Sequence, residues 1–137
     1  MKFRSYNHER DDKLLKEICC NCGSNAVKGA YAYFRTAEYY CKDRCWCEVV
    51  DNDAFYFATK ARNHVRLLAI AVRTNRQGEG LGKVVLYRLL RRMKHEGVYT
   101  LTFITSMAES AQSFWLNQGA KIMDVKGTDY EMQIKIE

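Results

Sequence analysis

The chain contains no proline, so its turns must be formed by glycine, asparagine and aspartate, the other residue types that favour turn conformations. It has no apolar run near the roughly 18 residues of a membrane-spanning helix, and no internal repeat or low-complexity segment. Residues 1–4 lead into acidic side chains rather than into the apolar stretch of a signal peptide. These absences predict a cytoplasmic protein that has no membrane partner.

The composition is typical of one ordinary globular domain, which we predict to span residues 1–137. Apolar residues make up 47% of the chain, which is enough for one core, and charged residues make up 28%, which argues against disorder. The net charge of +6 favours ligands that carry phosphate, in nucleic acid, on an acidic surface or in a cofactor. The net charge alone does not distinguish among nucleic acid, an acidic surface and a cofactor as the ligand.

Six cysteines lie in the N-terminal third of the chain. Without an export signal they do not indicate a disulfide framework, and their C-C-x-C and C-x3-C-x-C spacings depart from the C-x2-C pairs of zinc ribbons. We therefore predict reduced thiols that pack as small apolar residues, and no metal site. The cysteines are Cys19, Cys20, Cys22, Cys41, Cys45 and Cys47.

Hydrophobic periodicity predicts eleven elements in the order β-α-α-β-β-β-α-β-α-β-β. The last helix should begin at Ser106-Met107-Ala108-Glu109, which has the form of a capping box. This order is neither a repeat array nor a regular βαβ chain, and it predicts a mixed sheet with helices on both faces. The predicted strands are 2–6, 45–50, 54–60, 64–72, 98–105, 120–126 and 130–136, and the predicted helices are 9–22, 26–41, 81–96 and 106–118.

A glycine-rich stretch, Gln77-Gly78-Glu79-Gly80-Leu81-Gly82, separates an apolar strand from the third predicted helix. The first backbone N–H groups of a helix have no partner within the helix, and the helix dipole adds positive potential there. Glycine lets the backbone approach a ligand closely. Together with the basic residues Arg73 and Arg76, these features predict a site for an anion such as phosphate or pyrophosphate.

Two common phosphate-binding motifs do not fit this stretch. A P-loop needs serine or threonine after Gly-Lys, whereas Gly82-Lys83 is followed by Val84. The dinucleotide fingerprint needs a third glycine where this chain has Lys83. The sequence therefore argues against a nucleoside triphosphate or a dinucleotide at this turn.

The stretch resembles the acyl-CoA loop of the GNAT acetyltransferase superfamily, which has the pattern Q/R-x-x-G-x-G/A between a central strand and a helix. The sequence IAV at residues 70–72 is similar to that family's strand ending, and AQSFWLNQG at residues 111–119 resembles its later helix pattern. The resemblance covers nearly the whole chain, although the cysteine-rich third matches only in layout. It implies an α/β (α+β) fold with a mixed, largely antiparallel central sheet.

The resemblance implies that acetyl-CoA is the cofactor and that no metal is required. Acetyl-CoA would lie in a splay between the strands predicted at 64–72 and 98–105, with pantetheine along the first strand and pyrophosphate on the glycine loop. Lys83 and the loop 73–76 would add positive charge near the phosphates. The implied cofactor-binding residues are Ile70, Ala71, Val72, Gln77, Gly78, Glu79, Gly80, Leu81, Gly82, Lys83 and Trp115.

Acetyl transfer to an amine needs a base for the ammonium proton and an acid for the CoA thiolate. Many members of the family have a glutamate on the strand before the loop, where this chain has Leu68 and Ala69. The usual tyrosine acid is replaced by Trp115, whose indole cannot act as an acid near neutral pH. Glu48 and His64 are the candidate general bases. The titratable side chains considered for this role are Glu48, Asp51, Asp53 and His64.

These expectations describe an acetyl-CoA-dependent N-acetyltransferase whose acceptor, a primary amine of a small molecule or protein, attacks the thioester directly. The only nucleic acid that fits is an aminoacyl-tRNA as substrate, and a homodimer is a candidate assembly. Two alternatives stay open. One is a CoA-binding module with weak or no turnover, because the usual Glu and Tyr are missing; the other is a basic nucleic-acid-binding protein with a cysteine metal site.

Overall fold

The computed structural model describes residues 2–21, 42–106 and 109–136, and within these ranges the chain forms three helices and seven strands. The helices are α1 (His8–Asn21), α2 (Leu81–His95) and α3 (Glu109–Asn117). The strands are β1 (Phe3–Ser5), β2 (Cys45–Val50), β3 (Ala54–Lys60), β4 (Val65–Val72), β5 (Thr100–Ser106), β6 (Lys121–Lys126) and β7 (Asp129–Lys135). Their order is the predicted one, and their ends differ from the prediction by at most three residues. The helix predicted at 26–41 lies outside the described residues.

The seven strands form one sheet in the order β1-β2-β3-β4-β5-β7-β6. Only β4 and β5 run parallel, because the chain returns through α2 between them, and the other neighbours are antiparallel. The predicted mixed, largely antiparallel sheet is therefore confirmed.

Helices cover both faces of this sheet, and each face has its own apolar cluster. On one face, Leu15 and Ile18 of α1 pack against a cluster that includes Phe55 and Phe57 of β3. The opposite face carries a larger cluster beneath α2 and α3, because successive strand residues point to opposite faces. The helical members of the larger cluster are Leu81, Val85, Leu86, Leu89, Met93 and Trp115.

The central strand β4 contains a β-bulge. Leu68 is an extra residue opposite the Phe57–Ala58 step of β3. One inserted residue reverses the faces of all the side chains that follow it. Accordingly, Leu67 belongs to the cluster beneath α2, whereas Ala69 belongs to the cluster beneath α1.

The parallel strands β4 and β5 pair only at their starts, where Val65 is opposite Leu101 and Arg66 is opposite Thr102. Pairing stops directly before the bulge at Leu68, which bends the strand. The two strands therefore diverge toward their carboxyl ends, and one edge of β4 faces a gap there. The glycine-rich connection begins at the mouth of this gap.

Candidate active site

The connection from β4 to α2 spans residues 73–80 and contains no buried side chain. It begins with a short 3-10 turn, Thr74–Arg76. Gln77 fastens it to β4, since its Nε2 donates to the carbonyl oxygen of Val72 at 3.0 Å. Gly80 is the N-cap of α2 and has φ of 79°, a left-handed conformation in which a residue with a Cβ atom is strained. The abrupt entry into the helix therefore requires glycine at this position.

The first turn of α2 presents backbone N–H groups to the outside. The first hydrogen bond of the helix runs from Val84 N to Gly80 O at 3.2 Å, and no hydrogen bond in the described part of the chain uses the N–H groups of Leu81, Gly82 or Lys83. These donors and the positive end of the helix dipole point the same way. An anion with several oxygens, such as pyrophosphate, matches this arrangement.

Gly82 lies where three elements meet. A Cβ atom at this position would be 3.8 Å from Cγ2 of Val72 and 3.9 Å from Cζ of Phe114, both ordinary van der Waals distances. The start of α2 is therefore packed between the end of β4 and α3. The fold itself has room for a small side chain at Gly82.

The two arginines of the connection bind carboxylates. Nε of Arg73 donates to Asp53 at 3.1 Å, and its Nη1 donates to Glu17 of α1 at 2.9 Å. Nη1 of Arg76 donates to Asp53 at 2.6 Å, and its Nε donates to Glu79 at 3.2 Å. The charge of Glu79, together with Asp53, raises the pKa of Arg76. Three carboxylates thus offset the charge of two guanidinium groups that the sequence assigned to the phosphates.

Lys83 is the remaining cation at the start of α2. It is exposed, and its Nζ lies 5.5 Å from the ring centroid of Tyr87, one turn further along the helix. None of the ion pairs within the described ranges includes Lys83. Its charge is therefore available to an anion at the helix start.

Trp115 is a core residue. Its side chain is buried in the cluster beneath α2 and α3, with ring centroids 4.1 Å from Phe103 of β5 and 5.0 Å from Phe114. This packing places the indole beside the diverging strand β5. The position that holds an acid in the resembling family is thus filled here by an apolar ring in an aromatic cluster.

Glu48 is buried beneath α2. Its Oε1 accepts a hydrogen bond from the hydroxyl of Tyr56 at 2.6 Å, and its Oε2 accepts one from Nε of Arg88 at 3.1 Å. Arg92 of the same helix lies 3.9 Å from Oε1 and stacks over the ring of Trp46 at 4.4 Å. The carboxylate therefore links β2 and β3 to two successive turns of α2.

His64 lies at the opposite end of β4 from the glycine loop. Eight strand residues at about 3.3 Å each place it roughly 25 Å from the end of the strand. Its Nδ1 is 3.1 Å from Oδ1 of Asn63. The histidine lines an open surface pocket of about 320 Å³ together with Asn63, Thr100, Thr102, Gln133 and Lys135.

The structure thus brings together residues 70–72, the glycine loop and α3, and it keeps Glu48 and His64 apart from each other. It also adds Asp53, which the sequence indicated only as a titratable side chain. Asp51 and Asn52 both have positive φ, of 52° and 59°, and form the turn between β2 and β3. Because Ala54 of β3 pairs with Val72, this turn lies beside the glycine loop. The sequence signal for this turn is the three-residue stretch Asp51-Asn52-Asp53 between two predicted strands.

The described residues also give findings on metal-binding groups, membrane-spanning helices and cysteines. No group of three or more His, Cys, Asp or Glu side chains that could hold a metal ion occurs within residues 2–21, 42–106 and 109–136. Among the helices of these same ranges, none has the length and apolar character needed to cross a membrane. Four of the six cysteines lie beyond the side chains that the structure describes, while Cys47 is buried in the sheet.

Comparison with known proteins adds a family match. The model of the Acetyltransferase (GNAT) family matches residues 42–120, which is more than half of the chain. The matched range contains β4, the glycine loop, α2, β5 and α3. A search of the curated proteins found no match.

Solved acetyltransferase structures have a similar fold. The PaiA N-acetyltransferase of Thermoplasma acidophilum, in complex with coenzyme A, is 20% identical, with a TM-score of 0.79 over 98% of both chains. The ribosomal-protein-S18-alanine N-acetyltransferase of Escherichia coli is 17% identical, with a TM-score of 0.80 over 98% of this chain and 93% of that one. An acetyltransferase of Bacillus subtilis, in complex with CoA, is 16% identical, with a TM-score of 0.72 over 99% of both chains.

Proposed function

Since the chain belongs to the Acetyltransferase (GNAT) family and is thereby an acyltransferase, we propose that it transfers an acetyl group from acetyl-CoA to a primary amine. The amine nitrogen attacks the thioester carbonyl, the new C–N bond forms, and the C–S bond breaks. The amine loses a proton and the CoA thiolate gains one. The acceptor is a small molecule or a protein amine.

One observation carries this proposal: the row of N–H groups at the start of α2 lies next to the gap between β4 and β5. The pyrophosphate of CoA would accept from Leu81, Gly82 and Lys83, and the pantetheine arm would lie along residues 70–72 in the gap. Fixed donors of this kind hold a thioester in place with little reorganisation. Two of the similar structures are complexes with CoA, which supports the same ligand here.

The proton transfers are proposed to involve neither Trp115 nor the Glu48 carboxylate. The indole donates hydrogen bonds but does not titrate near neutral pH, and both oxygens of Glu48 already accept hydrogen bonds. His64 lies before the start of β4, in a separate surface pocket with Thr100, Thr102, Gln133 and Lys135. We therefore expect water to relay the protons, and amines that are partly neutral at pH 7 to be the better acceptors.

Turnover tests this function. The purified chain is incubated with acetyl-CoA and a panel of amines that includes α-amino groups, aliphatic side-chain amines and an aminoacyl-tRNA, and released CoA thiol is measured. Acceptor-dependent release above hydrolysis is expected for at least one class. Tight binding of acetyl-CoA without release on any acceptor would instead favour the CoA-binding module.

A further inference from the structure

Asp53 is a shared acceptor for the glycine loop. Its Oδ1 accepts from Nε of Arg73 at 3.1 Å, and its Oδ2 accepts from Nη1 of Arg76 at 2.6 Å. Its backbone carbonyl also accepts from the N–H group of Arg73 at 2.6 Å. The loop contains no buried side chain of its own, so polar contacts such as these and the bond from Gln77 to Val72 help to fix its course.

The second contact of Arg73 extends this arrangement to the other face of the sheet. Its Nη1 donates to Glu17 of α1, and its Nη2 donates to the backbone carbonyl oxygen of Asn52. One guanidinium therefore bridges α1 and the turn between β2 and β3 at the base of the loop. Arg73 is half-buried, with 18% of its side chain exposed, and its bond to Asp53 is the most sheltered of its side-chain contacts.

A carboxylate at this place has an electrostatic cost for a phosphate site. A negative charge near the loop repels a bound pyrophosphate, and it also neutralises arginines that could otherwise contact the phosphates. If charge were its only effect, Asp53 would weaken the binding of acetyl-CoA. Asp53 can therefore favour the binding of acetyl-CoA only by holding the loop in its binding conformation.

We propose that Asp53 is a positioning residue for the CoA pyrophosphate: it clamps Arg73 and Arg76 so that the N–H groups of residues 81–83 stay aimed at the ligand. The inference rests on the proposed function, because it concerns the same loop. The two arginines stabilise the conformation of the loop, and the phosphates are bound by the backbone N–H groups and Lys83. Asp53 touches neither the acetyl group nor the acceptor.

The test asks whether one substitution raises or lowers the Kd for acetyl-CoA. Asp53→Asn removes the negative charge and weakens the clamp, so positioning predicts that the Kd for acetyl-CoA, measured by calorimetry, rises about tenfold. A pure charge effect predicts tighter binding, because repulsion is lost and the arginines are released. KM for acetyl-CoA should rise in parallel, while kcat stays within about twofold, since the reacting atoms are not touched.

Asp51→Asn is the matched control. It removes the same charge from the same turn, and its side chain contacts the backbone N–H group of Lys2 rather than the loop arginines. Asparagine also tolerates the positive φ of this position. Asp51→Asn is therefore expected to bind acetyl-CoA with wild-type affinity.

Asp53→Glu serves as a second variant that keeps the charge but moves the carboxylate by one methylene. The positioning role predicts a several-fold loss of affinity for acetyl-CoA in this variant too.

The outcomes separate this inference from the proposed function. Wild-type protein that does not bind acetyl-CoA contradicts the proposed function itself. Wild-type protein that binds, with folded Asp53→Asn binding equally well or more tightly, overturns the positioning role, and tighter binding would in addition point to a pure charge effect of Asp53. Weaker binding by both Asp53 variants, with Asp51→Asn unchanged, supports it.

Discussion

The hydroxyl of Tyr56 lies 2.6 Å from Oε1 of Glu48, and both side chains are buried between the sheet and α2. Burial and the adjacent carboxylate raise the pKa of Tyr56, so the phenol keeps its proton and remains a donor to Glu48. Arg88 occupies the second oxygen. The pair therefore fastens α2, whose first turn carries the proposed pyrophosphate site, to the middle of the sheet.

Substitution of Glu48 separates a docking role from a catalytic one. Glu48→Gln leaves Arg88 without its counter-charge, and we expect the free energy of unfolding to fall by about 2 kcal/mol in urea titrations, at the low end for ion pairs because Arg88 is partly exposed. Tyr56→Phe, which removes only the hydroxyl, should cost about 1 kcal/mol. The pH dependence of kcat should not change. If Glu48→Gln instead lowered kcat most at high pH while the stability stayed unchanged, Glu48 would be identified as the general base.

Trp115 tests whether the acid position of the family is used here. Because the indole packs against Phe103 and Phe114, Trp115→Phe should keep the fold and retain kcat within a few-fold. Trp115→Ala should lower the free energy of unfolding by about 3 kcal/mol, since it leaves a cavity. Thermal melts and steady-state kinetics on both variants check this. A collapse of kcat in Trp115→Phe at normal stability would contradict the packing role.

The order of the elements could be read from the sequence because each has a strong local signal. The apolar run of β4 and the glycines after it located the connection correctly. The bulge at Leu68 could not be seen, because residues 67–72 are all apolar and a reversal of faces leaves the pattern unchanged. Glu48 and Arg88 are 40 positions apart, and local spacing carries no information about such a contact.

Some residues of the candidate site could likewise be predicted from the sequence, and others could not. The N–H row follows from general rules about glycine and helix starts, so residues 77–83 were identifiable. Asp53 required knowledge of which strands are neighbours, because it meets Arg76 across 23 positions of sequence. The sequence also assigned Arg73 and Arg76 to phosphates, since it could not reveal their carboxylate partners.

Asp11 predicts an acid-sensitive step in stability. Its carboxylate is fully buried, and although burial raises its pKa, hydrogen bonds from Arg4, from the backbone of Asn7 and from Arg10 together lower it below the ordinary 3.8. A lowered pKa means that the stabilisation is complete above about pH 4 and is lost as the pH falls through the folded-state value. Unfolding midpoints of wild type and Asp11→Asn should therefore converge at low pH.

The control for this prediction is Asp12→Asn on the same helical turn. Asp12 pairs with Lys16 at 3.5 Å and is partly exposed, so its removal should change stability by less than about 1 kcal/mol at any pH. If Asp11→Asn and wild type keep the same difference in stability from pH 7 down to pH 3, the ionised Asp11 is not the origin of the effect.

The central claim is that the start of α2 holds the pyrophosphate of acetyl-CoA, and Gly82 tests it most directly. A Cβ atom there would meet Val72 and Phe114 only at ordinary van der Waals distances, and we expect Gly82→Asn and Gly82→Asp to fold, which circular dichroism on both variants checks. Calorimetry with acetyl-CoA should give a Kd raised about a hundredfold or more for Gly82→Asp, because it adds a negative charge to the first turn of α2, and a much smaller increase for Gly82→Asn, which has nearly the same shape as Asp without the charge. Wild-type affinity in folded Gly82→Asp would contradict the account.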